Sequence, residues 1–172
     1  MTVDLLTRAE EPADHAAVYE VNSQAFATTM EAELVEALRA AAIPLISLVA
    51  ELDRGIVGHI LFSPVRIRSE SHKYRALALG PMAVRPDLQR RGIGSQLVVA
   101  GLEACARQQE FVVFVLGHPD FYPRFGFAPA GCTGLHFKEE QFDPYFFVAE
   151  LREGALEGLS GWVEYHPAFD QE

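Results

Sequence analysis

The chain has 172 residues, of which 49% are hydrophobic and 22% are charged, a composition that is typical of a folded globular domain and excludes a disordered chain. Its 14 basic and 24 acidic residues give a formal net charge of −10, which disfavours nucleic acid and anionic membrane surfaces as partners. Two cysteines make no disulfide framework and no Cys/His grouping has metal-ligand spacing, so we expect no bound metal.

The N-terminal region of the chain predicts one strand followed by two helices. Residues 3–8 are predicted to form a short first strand. Pro12 suits the first turn of a helix that continues to about Ala25, and neighbouring acidic residues favour the positive end of that helix. Apolar side chains at helical spacing predict a second helix over residues 30–42, which Pro44 ends.

Three strands are predicted next, over residues 45–52, 56–67 and 76–84. A tight turn at 53–55 joins the first two of them. The third strand contains Gly80-Pro81, and proline removes a hydrogen-bond donor from a strand. This pair therefore indicates either an edge or a bulge, and a bulge would splay two neighbouring strands and open a slot between them.

The C-terminal half of the chain alternates between helix and strand. A helix is predicted over residues 92–109, because apolar residues recur on one face. A fully apolar strand follows at 111–116, and we place it in the middle of the sheet. The remaining elements are a short helix at 119–124 and strands that begin near Phe137, at 146–151 and at 162–165.

The whole chain, residues 1–172, is predicted to form one layered domain, because repeats, low-complexity segments and linkers are absent. Its first residues lack the basic segment and apolar run of a signal peptide. The longest apolar stretch, residues 111–116, is too short to span a bilayer. We therefore expect a cytoplasmic protein that binds no membrane.

Charge is distributed unevenly along the chain. Residues 1–40 carry eight acids and two bases, and residues 137–172 carry nine acids and two bases. Residues 66–91 reverse the sign, with seven bases against two acids. These bases either protect exposed strand edges or serve the glycine-containing loop where the window ends. The acidic ends of the chain favour a cationic small molecule or a basic peptide as a partner.

Residues 84–96 have the features of a phosphate-binding loop. A strand ends there, two arginines precede Gly92-Ile93-Gly94, and a helix begins. The start of a helix leaves backbone N–H groups unpaired, and glycines let an anion approach the backbone closely. A Rossmann fingerprint would need glycine where Leu97 stands, and a P-loop would need a Gly-Lys-Ser/Thr run that is absent. The alternative is that the glycines only allow close packing of the helix start.

Gln89-Arg90-Arg91-Gly92-Ile93-Gly94 resembles the Gln/Arg-x-x-Gly-x-Gly/Ala signature of the GNAT superfamily of N-acetyltransferases. The preceding Met82-Ala83-Val84-Arg85-Pro86 resembles the strand-to-loop passage of those enzymes. Phe121-Tyr122-Pro123-Arg124-Phe125-Gly126-Phe127 resembles their Tyr-x-x-x-Gly-Phe passage. The order of elements fits over essentially the whole chain. The resemblance implies an α/β fold with a mixed, mostly antiparallel central sheet, splayed in the middle and flanked by helices on both faces.

The resemblance also implies that the chain binds acetyl-CoA as a cosubstrate. Backbone N–H groups of the signature would hold the pyrophosphate of that molecule. Main-chain groups at the end of the preceding strand would pair with the pantetheine arm like an extra strand. The cofactor-binding residues that follow are Met82, Ala83, Val84, Gln89, Arg90, Arg91, Gly92, Ile93, Gly94 and Ser95.

Tyr122 resembles the general acid of the family, which protonates the departing thiolate, although a core aromatic is the alternative interpretation. Many members carry a glutamate on the strand predicted at 76–84, but that strand has no carboxylate here. His118 is a candidate general base, with a surface loop histidine as the alternative. Further candidates are Glu31, Glu33 and Asp120. The base stays unassigned.

Three functional classes follow from these observations. The leading hypothesis is an N-acetyltransferase, monomeric or homodimeric, that acetylates a primary amine of a cationic small molecule or peptide. A non-catalytic acetyl-CoA-binding or sensing module of the same fold is the alternative, because the strand carboxylate is missing. The third hypothesis, a nucleotide-binding α/β domain, is disfavoured because the third glycine and the P-loop lysine are absent. No motif in the sequence identifies the acceptor.

Overall fold

The computed structural model describes residues 4–41, 43–69 and 73–170 of the chain, and over these residues a single sheet of nine strands carries three α-helices. The strands are β1 Leu5–Ala9, β2 Ile46–Leu52, β3 Gly55–Arg68, β4 Lys73–Val84, β5 Val112–Leu116, β6 Ala128–Pro129, β7 Leu135–His136, β8 Phe146–Glu150 and β9 Gly161–Glu164. The helices are α1 His15–Ala25, α2 Met30–Ala40 and α3 Ile93–Arg107. None of the described helices is long and apolar enough to cross a membrane.

The sheet is mixed and mostly antiparallel. Its strands follow the order β1-β2-β3-β4-β5-β8-β6, and β9 pairs with both β3 and β7. The parallel pairs are β4 with β5 and β7 with β9. The predicted fold class is confirmed, and the apolar strand predicted at 111–116 is the interior strand β5.

Helices cover both faces of the sheet because β3 is apolar on both sides. Ile60 and Phe62 pack with Leu97 of α3 in one buried cluster. Leu61, which points to the opposite face, packs with Val18 of α1 and with residues of α2 in another cluster. The sheet therefore has an α3 face and an α1/α2 face.

A bulge in β4 opens the middle of the sheet. Where β4 pairs with β3, its residues Gly80 and Pro81 together face the single residue Leu61. On the other edge, β4 pairs with β5 only as far as Leu79, which lies opposite Val115. Beyond that point this edge has no strand partner among the described residues. Pro81 therefore marks a bulge in a central strand, and the predicted splay is confirmed.

Two predicted elements differ from the structure in kind or extent. The helix predicted at 119–124 is a 3-10 turn over Tyr122–Phe125. Pro123 has no amide hydrogen, so it cannot donate an α-helical bond to Pro119. The strand expected to begin near Phe137 is the two-residue β7, which ends one residue earlier, and β6 was not predicted.

The other boundaries shift by a few residues. The first strand begins at Leu5 and extends to Ala9, and the second helix ends at Ala40. Val3 and Ala42, at which these two elements were predicted to begin and end, lie outside the described residues. The long helix begins at Ile93, one residue after its prediction.

Candidate functional site

The end of β4, the loop that follows it and the start of α3 enclose a cleft of about 430 Å³. Every residue predicted to bind the cofactor lines this cleft except Arg91 and Ile93. The lining residues are Ala25, Phe26, Met82, Ala83, Val84, Leu88, Gln89, Arg90, Gly92, Gly94, Ser95, Phe121 and Arg124. The structure thus brings the predicted binding residues together, and it adds the end of α1 and the turn after β5 to them.

The free edge of β4 forms one wall of this cleft. Met82, Ala83 and Val84 pair with β3 on one side, and on the other side they face the cleft. Strand residues direct backbone N–H and C=O groups to both edges in turn. An edge without a strand partner can therefore form backbone hydrogen bonds with an extended, amide-containing ligand.

The start of α3 forms the opposite wall. Gly92 is the N-cap, and no side chain caps the helix there. The first helical bond runs from the Gln96 amide to the Gly92 carbonyl at 3.0 Å. The amides of the preceding helical residues, Ile93 to Ser95, thus have no helical acceptor, and the helix dipole adds partial positive charge at this end. This is the arrangement that binds phosphate.

The loop before α3 holds its shape through backbone conformation and one side-chain bond. Arg90 (φ 64°) and Gly92 (φ 87°) both adopt left-handed conformations, so the chain turns sharply into the helix. The Gln89 side chain donates a hydrogen bond to the Val84 carbonyl at 3.0 Å. Gln89 therefore ties the loop to the end of β4, and its amide nitrogen is already engaged with protein.

Gly94 keeps the centre of the cleft open. A Cβ atom at this position would lie 3.4 Å from the Met82 side chain and 3.8 Å from the Phe121 ring, both of which line the cleft. These are ordinary van der Waals distances. A small side chain at residue 94 would therefore fit the fold while it occupied ligand space.

Two of the loop arginines are available for an anion. Arg85 is paired with Asp87 at 2.7 Å, and this hydrogen bond holds the pKa of the Asp87 carboxyl below its usual value. Neither Arg90 nor Arg91 forms an ion pair with the described residues. Arg90 lines the cleft, and Arg91 is exposed on the loop beside it.

The basic window at 66–91 does not form a single patch. Arg66 lies opposite Arg75 near the far end of the β3–β4 hairpin. About ten strand residues separate that end from Arg85, which is roughly 30 Å at ~3.3 Å per residue. Arg68 pairs there with Glu164 at 2.9 Å and Arg75 with Glu110 at 3.1 Å. Only the later arginines belong to the loop.

Tyr122 lies in the 3-10 turn after β5 and is 8% exposed. Its ring packs edge-on against Phe121 and Phe127, and Gly117 leaves room for its close approach. Burial raises the pKa of Tyr122 to about 12. Its hydroxyl makes no hydrogen bond with the described residues. The ring is thus part of the core, while the hydroxyl is protonated at neutral pH and free to donate.

The candidate bases are not gathered in the cleft. His118 is 70% exposed, and its Nδ1 accepts a hydrogen bond from the Asp120 amide at 3.2 Å. Asp120 itself is 92% exposed, and Glu33 is exposed on α2. Glu31 lies in the first turn of α2, with one buried carboxylate oxygen that has no hydrogen-bond partner in the described residues.

Sequence reasoning missed three features of the cleft. Ala25 and Phe26, at the end of α1, carry no motif that would indicate a ligand. Leu88 lines the cleft and packs against the buried cluster that contains Val84 and Ile93. Arg124 lies over the Phe121 ring at 4.9 Å and lines the cleft. The sequence did contain Arg124 beside the aromatic residues of this turn, and its guanidinium is a type of donor suited to phosphate.

Comparisons with known proteins agree with this geometry. Residues 7–130 match the family model described as "Acetyltransferase (GNAT) domain". The chain is 33% identical to the uncharacterized N-acetyltransferase YhbS of Escherichia coli K12 over 168 residues, which cover 97% of this chain and 99% of YhbS. It is 37% identical to the uncharacterized N-acetyltransferase YjhQ of the same strain over 126 residues, 72% of this chain and 68% of YjhQ.

Two solved structures are similar over nearly the whole chain. The crystal structure of Escherichia coli YhbS in complex with CoA has a TM-score of 0.93 and 31% identity, and the match covers 99% of this chain and 94% of that one. A GNAT family acetyltransferase from Brucella melitensis in complex with acetyl-CoA has a TM-score of 0.79 and 34% identity, over 97% and 99% of the two chains. The uncapped helix start, the splayed sheet and these relatives together establish that the chain belongs to the GNAT family of acetyltransferases.

Proposed function

We propose that this chain transfers the acetyl group of acetyl-CoA to a primary amine, which attacks the thioester carbonyl directly. The observation that carries the proposal is the uncapped start of α3 beside the unpaired edge of β4, with both in one cleft. A CoA thioester needs an anion site for its pyrophosphate and backbone partners for its pantetheine amides. The cleft supplies both.

The phosphate end of the cleft offers main-chain and charged donors. The amides of Gly94 and Ser95 precede the first helical hydrogen bond, and Arg90 lines the cleft beside them. Arg124, which is stacked on aromatic rings, adds a second guanidinium. Charge-assisted hydrogen bonds to phosphate are stronger than neutral ones, so these groups supply most of the cofactor affinity.

Tyr122 is the proposed general acid. The amine nitrogen bonds to the acyl carbon, the C–S bond breaks, and the sulfur leaves with the electron pair and receives a proton. The surplus proton of the amine passes to water, and water returns a proton to the Tyr122 phenolate, so that no net proton is gained or lost. A CoA thiol has a pKa of about 8.5, by analogy with cysteine, so the thiolate is less basic than the phenolate of Tyr122. The phenol therefore keeps its proton in the ground state and donates to sulfur as negative charge develops.

The amine must lose its proton before it attacks. An alkyl amine with a pKa of about 10.4 is neutral in only about one molecule in a thousand at pH 7. β4 offers no carboxylate over residues 76–84, and His118 is exposed. Burial favours the neutral form of an amine. We therefore assign deprotonation to desolvation of the amine and to water, and not to a side-chain base.

A sensing module of the same fold is the second candidate, and the missing carboxylate on β4 is the observation that favours it. Such a module would bind acetyl-CoA in the same cleft and release no CoA. The two candidates thus share their cofactor and differ in turnover.

The test is amine-dependent release of CoA thiol from acetyl-CoA across a panel of polyamines, aminoglycosides, amino acids and basic peptides. An enzyme gives release matched by acetylated amine in the mass spectrum. Acetyl-CoA binding by calorimetry without release from any amine identifies the sensing module. Displacement of bound CoA by ATP or NAD would contradict both candidates.

A further inference from the structure

Five buried side-chain atoms have no hydrogen-bond partner among the described residues, and all five belong to one side of the molecule. Folded proteins leave few buried polar groups unpaired, so a group of them on one side needs a cause. Their elements are α1, the start of α2, β3 and the residue after β9. The atoms are Asn22 Oδ1, Ser23 Oγ, Glu31 Oε2, Ser63 Oγ and Tyr165 Oη.

Two of these residues, Ser63 and Tyr165, lie on the α1/α2 face of the sheet. Ser63 is two residues from Leu61 in β3, so both side chains point to this face. In β9, Val163 pairs with Ile67, and Tyr165 continues on the same side as Val163. The Tyr165 ring confirms this placement, because it packs 4.8 Å from the Phe137 ring and 5.0 Å from Phe169.

The same two residues lie beside the opening in the sheet. Ser63 is opposite Ala78, which is adjacent to the last residue of β4 that pairs with β5. The Tyr165 hydroxyl is buried although some of the side chain is exposed. The Tyr165 ring packs on that of Phe137, which in turn stacks on Phe146 beside the last residue of β5, at the edge of the opening.

We infer that the hydroxyls of Ser63 and Tyr165 accept the two N–H bonds of the acceptor amine and so select a primary amine. This inference rests on the proposed acetyl transfer. A hydroxyl oxygen accepts a hydrogen bond, and a neutral primary amine has two N–H donors and one lone pair. When both N–H groups are held by protein oxygens, the lone pair stays free to attack the thioester. A secondary amine can satisfy only one of the two hydroxyls.

Recognition of the reacting amine in its neutral form also fits the missing base. A carboxylate at this point would stabilise the ammonium ion, which cannot attack, because an opposite charge favours the charged form. Two buried hydroxyls bind the neutral amine without that penalty. The site therefore recognises the reactive form of the amine directly.

The experiment uses the full chain and its variants Tyr165→Phe and Ser63→Ala, with Tyr145→Phe as the matched control. Tyr145 is 51% exposed, so its hydroxyl is already solvated. The first probe is 1,4-diaminobutane, compared with its N,N′-dimethyl derivative, or else the best primary amine of the panel and its N-methyl form. The measurements are kcat and KM for each amine, the Kd of acetyl-CoA, and Tm.

We expect each site variant to raise the KM for the primary amine about tenfold, which corresponds to one lost hydrogen bond. The preference for the primary over the methylated amine should fall by a similar factor. The Kd of acetyl-CoA should stay within twofold. Because the variants remove unpaired buried hydroxyls, Tm should stay the same or rise by about 2 °C. The control should match the parent throughout.

An unchanged preference between the two amines overturns the inference, even if overall activity falls. A lower Tm with weaker acetyl-CoA binding also overturns it, since that result identifies a purely structural hydroxyl. If the parent releases no thiol with any amine, the proposed function fails and the inference fails with it. If the parent is active but the site variants keep its preference between the two amines, the inference fails and the proposed function is retained.

Discussion

The cofactor cleft and the α1/α2 face of the sheet hold polar groups of two different kinds. In the cleft these are chiefly backbone groups, supplied by the start of α3 and by the edge of β4, which are close in sequence. The guanidiniums of Arg90 and Arg124 add to them. On the α1/α2 face they are side-chain atoms of Asn22, Ser63 and Tyr165, which are far apart in sequence and buried. A backbone site depends on chain conformation, whereas a side-chain site depends on residue identity.

This difference separates two kinds of specificity. A backbone site uses groups that nearly every residue carries, so it changes little when side chains change. A side-chain site can be altered by single substitutions, so it can set the acceptor without disturbing the cofactor. Tyr122 lies in the turn after β5, packed against Phe121 of the cleft. Substitutions in each region should change different kinetic constants.

The largest expected effect is on turnover in Tyr122→Phe. The variant keeps the ring and its contacts with Phe121 and Phe127, so stability should change little. It removes a hydrogen bond that strengthens only along the reaction coordinate. We expect kcat to fall by about 10²-fold while the Kd of acetyl-CoA stays within a few-fold. Steady-state kinetics and calorimetry measure the two quantities.

Tyr145→Phe is again the control for loss of a phenol. Because the pKa of Tyr122 is about 12, the parent should show no loss of rate from tyrosine ionisation up to about pH 10. A Tyr122→Phe variant that turned over like the parent would leave Tyr122 as a core aromatic and water as the proton donor.

A side chain at Gly94 should affect the cofactor region alone. Gly94→Val places methyl groups beside Met82 and Phe121, in the space proposed for the pyrophosphate. We expect acetyl-CoA binding to weaken by about 1–3 kcal/mol, the scale of lost charge-assisted hydrogen bonds. Calorimetry on the folded variant measures the change, and Gly131→Val, outside the cleft, is the matched control.

The opposite result for Gly94→Val would be a loss of stability with unchanged affinity. Such a variant would show that the glycine serves helix packing only. The predicted primary-amine preference should survive in Gly94→Val, since the acceptor side chains lie on the other face.

His59 connects the two regions and should make stability depend on pH. It is fully buried in β3, opposite Ala83 of the cleft edge. Its Nδ1 accepts from the Asn22 side chain at 3.1 Å, and its Nε2 lies 2.9 Å from the Ser47 hydroxyl. Burial, and then the positive charge of Arg39, lower the pKa of His59 to about 3. Glu10 lies 3.5 Å away but is already paired with Arg39.

The direction of the pH effect follows from this lowered pKa. Between about pH 6.5 and pH 3 the unfolded chain binds a proton at this histidine and the folded chain does not, so stability falls as the pH falls through that window. At pH 5 the loss is about 2 kcal/mol relative to pH 7. In His59→Gln this contribution disappears. The free energy of unfolding, measured with denaturant, should therefore change less steeply with pH in the variant than in the parent. Parallel plots of this free energy against pH for the two proteins would contradict the prediction.

The sequence predicted most of the residues that line the cleft because its signals are local. A helix start and the glycines around it occupy adjacent residues, and Gly80-Pro81 marked the bulge directly. Ser63 and Tyr165 have no such signal, because β9 returns beside β3 only in the folded chain. The basic window left two alternatives open for a related reason, since an extended strand carries Arg75 far from Arg85 although only ten positions separate them in the sequence.

The smallest expected effect is the dependence of the acceptor KM on salt concentration. The chain ends 1–40 and 137–172 carry net charges of −6 and −7, which favour a cationic acceptor. These net values already include the pairs Asp14 with Arg8 and Asp170 with Lys138, and Glu164 is further paired with Arg68 from outside the two segments. We therefore expect only a modest rise in acceptor KM, about threefold between 50 and 300 mM NaCl, because exposed charges are screened over about 10 Å or less. A monoamine of the same length is the control, since it lacks the second charge and should show a smaller rise. A best acceptor that is neutral or anionic, with a KM independent of salt, would remove the acidic ends from acceptor recognition and leave the α1/α2 face as the whole of the acceptor site.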